Sequence, residues 1–277
     1  MLTALACASP AWAQDPVTTG PETTVDEIVV VGGTLEEQAA QFVDGIANST
    51  TRRGLARWAG PVCIGVVNFR REVAEQIADT MVEIADEFGV PVNAEACEPN
   101  IFIIGAVDGQ ALAAKWVAER PSEFRPTLPG LRSSELRPSM ASLDLFMQAP
   151  APVRWYSLSV PVDRTGRQAS PRLIRTLRVD DLWRVFVVVD VDEIDGYSVR
   201  SLSEYISMVA FSQVQMDADT SGLPSIINMF HGDYDRFTPW DHAYLSTLYE
   251  ADHDERVTHA DQAENLASAM RTPDPEE

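Results

Sequence analysis

The sequence predicts a mixed α/β domain of the α+β kind, built around a mixed β-sheet, and three observations predict this fold class. Residues 61–106 contain a strand pattern, a long helix pattern and a second strand pattern, a unit that normally forms a parallel strand pair. Residues 153–192 contain two further strand patterns. The chain has 277 residues and is 45% apolar, so it can bury one large core.

The first half of the domain supplies this strand-helix-strand unit. Residues 34–48 predict a helix with acidic residues in its first turn. The apolar segment 61–68 predicts a buried strand, and residues 70–89 predict a helix because apolar residues recur at helical spacing until Gly89. The returning strand is predicted at 100–106. We therefore expect two parallel strands joined by a long helix that backs the sheet.

The middle of the chain is predicted to complete the sheet. A short helix at 109–120 is followed by a proline-rich segment at 121–152, which we expect to run over the surface. Alternating apolar and polar residues at 153–162 predict a half-exposed strand at the edge of the sheet. The continuous apolar run within 182–192 predicts a buried strand.

Two predicted helices flank a tight turn in the last third of the chain. Residues 197–214 have the apolar spacing of an amphipathic helix. Residues 238–249 predict a second helix, with Thr238 as N-cap and Pro239 as its first residue. The sequence SIINM, which ends at Met229, lies between them and predicts a turn with the methionine at its apex.

The two ends of the chain are expected to lie outside the domain, which we predict at 34–257. Residues 1–13 resemble a signal peptide ending in Ala-Trp-Ala, and because no positive charge precedes the apolar run we expect the natural start to lie upstream. Residues 14–33 predict a flexible linker. Within it, residues 25–33 resemble the TonB box of outer-membrane transporters, with an ordinary first strand as the alternative. Residues 258–277 predict a helical or frayed tail.

Charge and cysteine content limit the classes of function. The net charge of −21 opposes binding to nucleic acid or to an anionic membrane. No segment approaches the ~20 continuous apolar residues of a membrane-spanning helix. Export to the periplasm or beyond leaves two cysteines, Cys63 and Cys97, and an even count in an exported chain predicts a disulfide, with two buried thiols as the alternative.

The segment between residues 203 and 249 resembles the metzincin branch of the zinc metallopeptidases. The family's motif is H-E-x-x-H-x-x-G-x-x-H, in which three histidines bind zinc and the glutamate activates a water molecule. In this chain the same frame reads, in order, Ser203, Glu204, Ser207, Ala210 and Gln213. The sequence SIINM resembles the family's methionine turn, and residues 241–249 resemble its closing helix.

The resemblance implies a zincin-like fold with a long backing helix, an active-site-type helix and a methionine turn, but without zinc or any other cofactor. Secreted bacterial domains of unknown function are similar to this zinc-less frame. Serine and glutamine are poor zinc ligands, so Glu204 would be a vestige without catalytic work. We expect Ser203, Ser207 and Gln213 to line a polar cleft above Met229.

A non-catalytic domain of this kind would bind a protein or an extended peptide. In peptidases of this class the substrate pairs with the edge strand beside the active-site helix, so residues 153–160 are the expected partner edge. Its aromatic residues Trp155 and Tyr156 are the candidate contacts.

Two alternatives remain open. A diverged hydrolase would use Glu204 with a metal held by His231 or His242, and an outer-membrane or TonB-linked accessory subunit would use residues 25–33. Three acid-flanked histidine groups could attract a hard cation, although charge runs usually mark solvated surfaces: His231 with Asp233 and Asp235, Asp241 with His242, and His253 between Asp252 and Asp254. The chain has no G-x-S-x-G elbow, no phosphate-binding loop and no C-x-x-C pair.

Overall fold

The structure is a computed structural model, and the part of the chain that it describes comprises residues 33–47, 54–93, 96–125, 140–162, 179–232, 234–250 and 257–271. The predicted signal peptide, the linker before Gly33 and most of the TonB-box-like segment lie outside the described residues. Residues 33–277 belong to one compact unit.

A four-stranded mixed sheet forms the centre of this unit. Its strands are β1 (Ile64–Val67), β2 (Ile101–Ala106), β3 (Val153–Val162) and β4 (Val179–Asp190). The spatial order is β1-β2-β4-β3, with β1, β2 and β4 parallel and β3 antiparallel to β4. The predicted α+β fold class with a mixed sheet is therefore confirmed.

Helices cover both faces of the sheet. They are α1 (Leu35–Ile46), α2 (Arg71–Glu87), α3 (Gly109–Glu119), α4 (Pro121–Phe124), α5 (Met140–Gln148), α6 (Val199–Phe211), α7 (Pro239–Glu250) and α8 (His259–Ala269). A 3-10 helix, Ile226–His231, stands at the predicted methionine turn. Among the described residues, no helix is both long and apolar enough to cross a membrane.

The alternation of side chains along the strands divides the core in two. Ile103 of β2 and Val187 of β4 face the larger core, which also contains side chains of α1, α2, α6, α7 and α8. Phe186 of β4 faces the smaller core, formed with α3, α4 and α5. There its ring packs against Trp116 of α3 and Phe124 of α4, with centroid distances of 5.1 Å and 4.4 Å.

Local sequence signals mark several element boundaries correctly. Thr34 caps α1 in a capping box, because its Oγ1 accepts from the Glu37 amide while its own amide donates to the Glu37 carboxylate. Gly89 adopts φ 69° just after α2, a conformation that glycine reaches without steric cost. The predicted starts of α1 and α7 thus agree with the structure.

The predicted disulfide between Cys63 and Cys97 is present, with a Cα–Cα distance of 6.1 Å. Cys63 directly precedes β1, and Cys97 lies four residues before β2. The bond therefore links the chain at the beginning of two neighbouring parallel strands, as expected from the strand-helix-strand unit.

Four expectations are corrected by tertiary packing. All residues of β3 are buried rather than half-exposed, because helices cover both faces of the sheet. The segment 121–152 is not only a surface excursion, since α4 and α5 bring Phe124 and Phe146 into the smaller core. Residues 201–211 of α6 are all buried, so this helix is not amphipathic in its setting. The predicted tail contains α8, whose Leu266 is fully buried against the larger core.

Candidate functional site

The two serines at the first two ligand positions of the metzincin-like frame lie on α6. Both are fully buried. The Ser203 hydroxyl donates to the Val199 carbonyl of the same helix at 2.7 Å. The Ser207 hydroxyl has no hydrogen-bond partner among the described residues. The expectation that these serines line an open polar cleft is therefore wrong, because α6 is enclosed on all sides by the larger core.

Gln213 and Met229 also contribute to closed packing. The Gln213 side-chain amide donates to the Ser159 hydroxyl of β3 at 3.3 Å. Met229 is 1% exposed and belongs to the same core as α6. The 3-10 helix that carries Met229 packs against α6, where the rings of Tyr205 and Phe230 lie 5.0 Å apart. The methionine turn and α6 are thus brought together, and their described residues pack into one buried core.

Glu204 is held by three donors from the protein. Its Oε1 accepts from Nε of Arg200 at 2.7 Å and from Nε of Arg236 at 2.9 Å. Its Oε2 accepts from the backbone amide of Phe237 at 2.6 Å. The side chain is 3% exposed. Glu204 is therefore not an ordinary exposed carboxylate on a helix face, because the segment 236–237 folds over it.

The Glu204 contacts join three parts of the fold. Arg200 bridges Glu204 on α6 to Glu83 on α2, with a distance of 2.8 Å to the Glu83 carboxylate. Arg236 and Phe237 attach the segment before α7 to the same point. The carboxylate thus anchors the end of the loop that follows the methionine turn.

Asp241 performs a similar anchoring task at the beginning of α7. It is fully buried. Its two oxygens accept from the Ser225 hydroxyl, the Ile226 amide, and the amide and hydroxyl of Thr238, at distances of 2.6–2.9 Å. Burial raises the pKa of Asp241, while these hydrogen bonds oppose the shift. The carboxylate joins the methionine turn to the cap of α7.

The expected partner edge is covered by the chain itself. Trp155 and Tyr156 are 6% and 4% exposed. The Trp155 indole donates to the Val214 carbonyl at 2.9 Å, and its backbone amide reaches only the Met216 sulfur, at 3.4 Å. The segment after α6 therefore lies along this part of β3, and the two aromatic residues are core residues.

Two of the described histidines, His242 and His259, pair with single carboxylates, while His231 lies at the end of the 3-10 helix. His242 Nδ1 lies 2.9 Å from Glu87, and His259 Nδ1 lies 3.0 Å from Asp44. No group of three or more His, Cys, Asp or Glu residues suited to a metal ion occurs in the described part of the chain. Asp233 and the group around His253 lie outside the described residues.

A groove that the sequence analysis missed lies at the carboxyl ends of β1 and β4. Its volume is about 360 Å³, within the range of ligand-binding clefts. The lining is mainly apolar and includes Phe69, Val73, Val191, Ile194, Tyr197 and Leu202. The carboxyl ends of parallel strands are the usual position for ligand binding in open α/β sheets.

Two backbone positions beside the groove need residues with small or tolerant side chains. Asn68 has φ 63°, a left-handed conformation that Asn tolerates better than most residues, and it turns the chain at the end of β1. A Cβ on Gly105 of β2 would lie 3.2 Å from the Phe69 ring and 3.2 Å from a methyl of Val191. Glycine at this position lets two groove residues approach the sheet.

Apolar exposure is concentrated at this end of the sheet. Three large apolar side chains are exposed among the described residues: Val67 at the end of β1, Val107 directly after β2 and Tyr197 shortly before α6. Their exposed fractions are 51%, 70% and 38%. Exposed apolar groups collected in one region commonly mark an interaction surface. A usable sequence signal was the segment 191–199, in which apolar residues alternate irregularly with acids between a buried strand and a helix cap.

In comparisons with known proteins, no family profile, no curated sequence and no solved structure matches this chain.

Proposed function

We propose that this chain is a non-catalytic domain with a metzincin-like frame, which binds a protein or peptide partner. The observation that carries the proposal is the state of Glu204, the residue at the position of the family's general base. Both of its oxygens already accept hydrogen bonds from the protein, and its side chain is 3% exposed.

A general base must reach the proton that it removes, either directly or through one water molecule. Two guanidinium groups and a backbone amide surround the Glu204 carboxylate and leave it closed to a substrate. The neighbouring ligand positions hold Ser203 and Ser207, which are fully buried. These features support a structural role for the whole frame.

The order of elements supports the resemblance itself. A backing helix, α2, and the active-site-type helix, α6, pack together against the same face of the sheet. Strand β4 directly precedes α6 in the chain, and the antiparallel strand β3 pairs with β4. The methionine turn follows α6 and contacts it. These relations support the proposed zincin-like frame.

The binding half of the proposal is supported by the groove rather than by the β3 edge. The groove is open, mainly apolar and flanked by exposed Val67 and Tyr197. Surfaces of this composition bind partners by removing apolar area from water. We also propose export to the periplasm or beyond, which the disulfide supports because such bonds persist in oxidising compartments.

The test compares the wild-type chain with Glu204→Gln for zinc content, peptidase activity and stability. We expect the wild type to hold far less than one zinc per chain after dialysis against zinc, and to cleave no member of a broad fluorogenic peptide library. The variant should lose stability and change neither zinc content nor peptidase activity. Glu75→Gln, which alters an exposed ion pair of α2, is the matched control.

The opposite pattern would refute a non-catalytic domain. About one zinc per chain, with peptidase activity that disappears in Glu204→Gln and not in Glu75→Gln, assigns Glu204 the role of a catalytic base. In that case the hydrogen bonds seen here would have to open during the reaction.

A further inference from the structure

The charges around the groove are unevenly distributed. The turn between β4 and α6 provides one wall, and it alternates apolar lining residues with exposed acids: Asp192, Glu193 and Asp195. The side chains of Asp192 and Asp195 have no ion pair or hydrogen bond with another described residue. Arg70 is the charged residue among those that line the groove, and the three exposed acids that lie between lining residues of the turn outnumber it.

Asp192 and Asp195 differ from Asp190, the neighbouring acid at the end of β4, because their side chains have no hydrogen bond or ion pair with another described residue. Asp190, at the end of β4, accepts from the Gly109 amide at 3.0 Å and so caps the neighbouring helix α3. Asp192 and Asp195 carry no such structural task. Both lie in the same exposed turn, three residues apart, so both charges attract a cation that approaches this turn.

Resting on the proposed function, we propose that this groove binds a basic, apolar peptide segment of a protein partner. Apolar side chains of the segment occupy the space between Phe69, Val73 and Leu202. Its lysine or arginine side chains lie against Asp192 and Asp195. An acidic segment is disfavoured, because the rim and the chain's net charge of −21 both repel it.

The lining itself favours a peptide with exposed apolar side chains over a purely electrostatic ligand. Tyr197 presents a large apolar ring at the rim, supported by Phe230 at a centroid distance of 5.1 Å. Tyrosine is one of the residue types that most often contribute strongly to binding at protein interfaces. Binding therefore requires both the apolar lining and the acidic turn.

The experiment measures fluorescence anisotropy of three labelled ten-residue peptides with the full chain. One alternates Leu with Lys, the second replaces Lys with Glu, and the third replaces Leu with Ser. We expect the Leu/Lys peptide to bind most tightly. The double variant Asp192→Asn/Asp195→Asn should weaken its binding about threefold to tenfold, as expected for two exposed charge pairs.

Matched variants test whether peptide binding depends on the groove residues or on the net charge of the chain. Asp86→Asn/Glu264→Gln removes the same charge at exposed positions of α2 and α8 and should leave binding unchanged. Tyr197→Ala should weaken binding about fivefold or more, because it removes the exposed aromatic ring from the lining of the groove. Circular dichroism of every variant verifies folding.

Three results would overturn the inference: no binding of the Leu/Lys peptide, equal binding of the Leu/Glu peptide, or equal weakening by the groove variants and their controls. Zinc and peptidase measurements on the same preparations separate this failure from that of the proposed function. A zinc-free, inactive chain that fails the peptide test loses only the groove assignment, whereas a zinc-dependent peptidase refutes the non-catalytic function itself.

Discussion

The carboxylates around α6 and those at the groove rim differ in how many donors the fold directs at them. Asp241 accepts four hydrogen bonds and Glu204 accepts three. The side chains of Asp192 and Asp195 accept none from other described residues. The first two carboxylates are therefore part of the fold, while the rim carboxylates remain available to a partner. Glu204 is a structural joint between α6 and the segment before α7, and the carboxylates without protein partners lie elsewhere.

Asp241→Ala should produce the largest loss of stability. The substitution leaves the Ser225, Ile226 and Thr238 donors buried without an acceptor, and the expected cost is about 3–5 kcal/mol in the free energy of unfolding. Urea denaturation followed by circular dichroism measures this loss. Asp192→Ala is the control, and a loss below about 1 kcal/mol for Asp241→Ala would contradict the joint between the methionine turn and α7.

Glu204→Gln should have the next largest effect. Removing the charge weakens the bonds from Arg200 and Arg236, and the new amide group brings a donor toward other donors, so we expect a loss of about 2 kcal/mol. The same denaturation experiment with Glu75→Gln should show about 0.5 kcal/mol or less, because that pair is exposed. Equal losses of unfolding free energy in the two variants would show that Glu204 stabilises the fold no more than an exposed acid does.

Asp181 is an intermediate case and predicts a pH dependence. Burial raises the pKa of Asp181 from 3.8 to about 6, although the Ala59 amide donates to it at 2.9 Å and Arg57 favours its charged form. Because the folded state holds the proton more tightly, this contribution to stability is greatest below pH 4 and disappears as the pH rises through 6. We expect a loss of about 1–3 kcal/mol over this interval.

Asp181→Asn tests this pH dependence, since the amide oxygen can still accept from Ala59 but the side chain does not titrate. The difference in unfolding free energy between wild type and variant, measured by urea denaturation at pH 4 and pH 7, should change by the stated amount. Parallel stability curves for the two proteins would rule out a raised pKa for Asp181.

The rim carboxylates should show the smallest effect on stability. Asp192→Asn/Asp195→Asn removes two exposed charges that pair with no described residue, so the free energy of unfolding should change by no more than about 0.5 kcal/mol. Thermal denaturation of the double variant provides the measurement. A loss above about 1 kcal/mol would mean that these acids belong to the fold in the same way as Glu204, and the comparison between the two regions would fail.

Local patterns predicted more of the fold than of the site. The strand-helix-strand unit, the Thr34 and Thr238 caps and the Cys63–Cys97 disulfide follow from neighbouring residues and from residue spacing, and the structure contains all of them. The position of Ser203 and Ser207 on one helix was also predictable from their spacing. Their enclosure was not, because the residues that enclose α6 come from distant parts of the chain.

By itself, the sequence determined the order of the strands and of the helices α1, α2, α3, α6 and α7, the caps at Thr34 and Thr238, and the identity of the residues at the metzincin-like positions. Tertiary structure alone decided whether those residues are open or closed. The Glu204 carboxylate pairs with Arg236, which lies 32 residues further along the sequence. Trp155 is covered by a segment about 60 residues further along the sequence. The groove likewise combines the ends of two strands and the starts of two helices. Side-chain exposure depends on which distant elements pack together, and no local pattern contains that information.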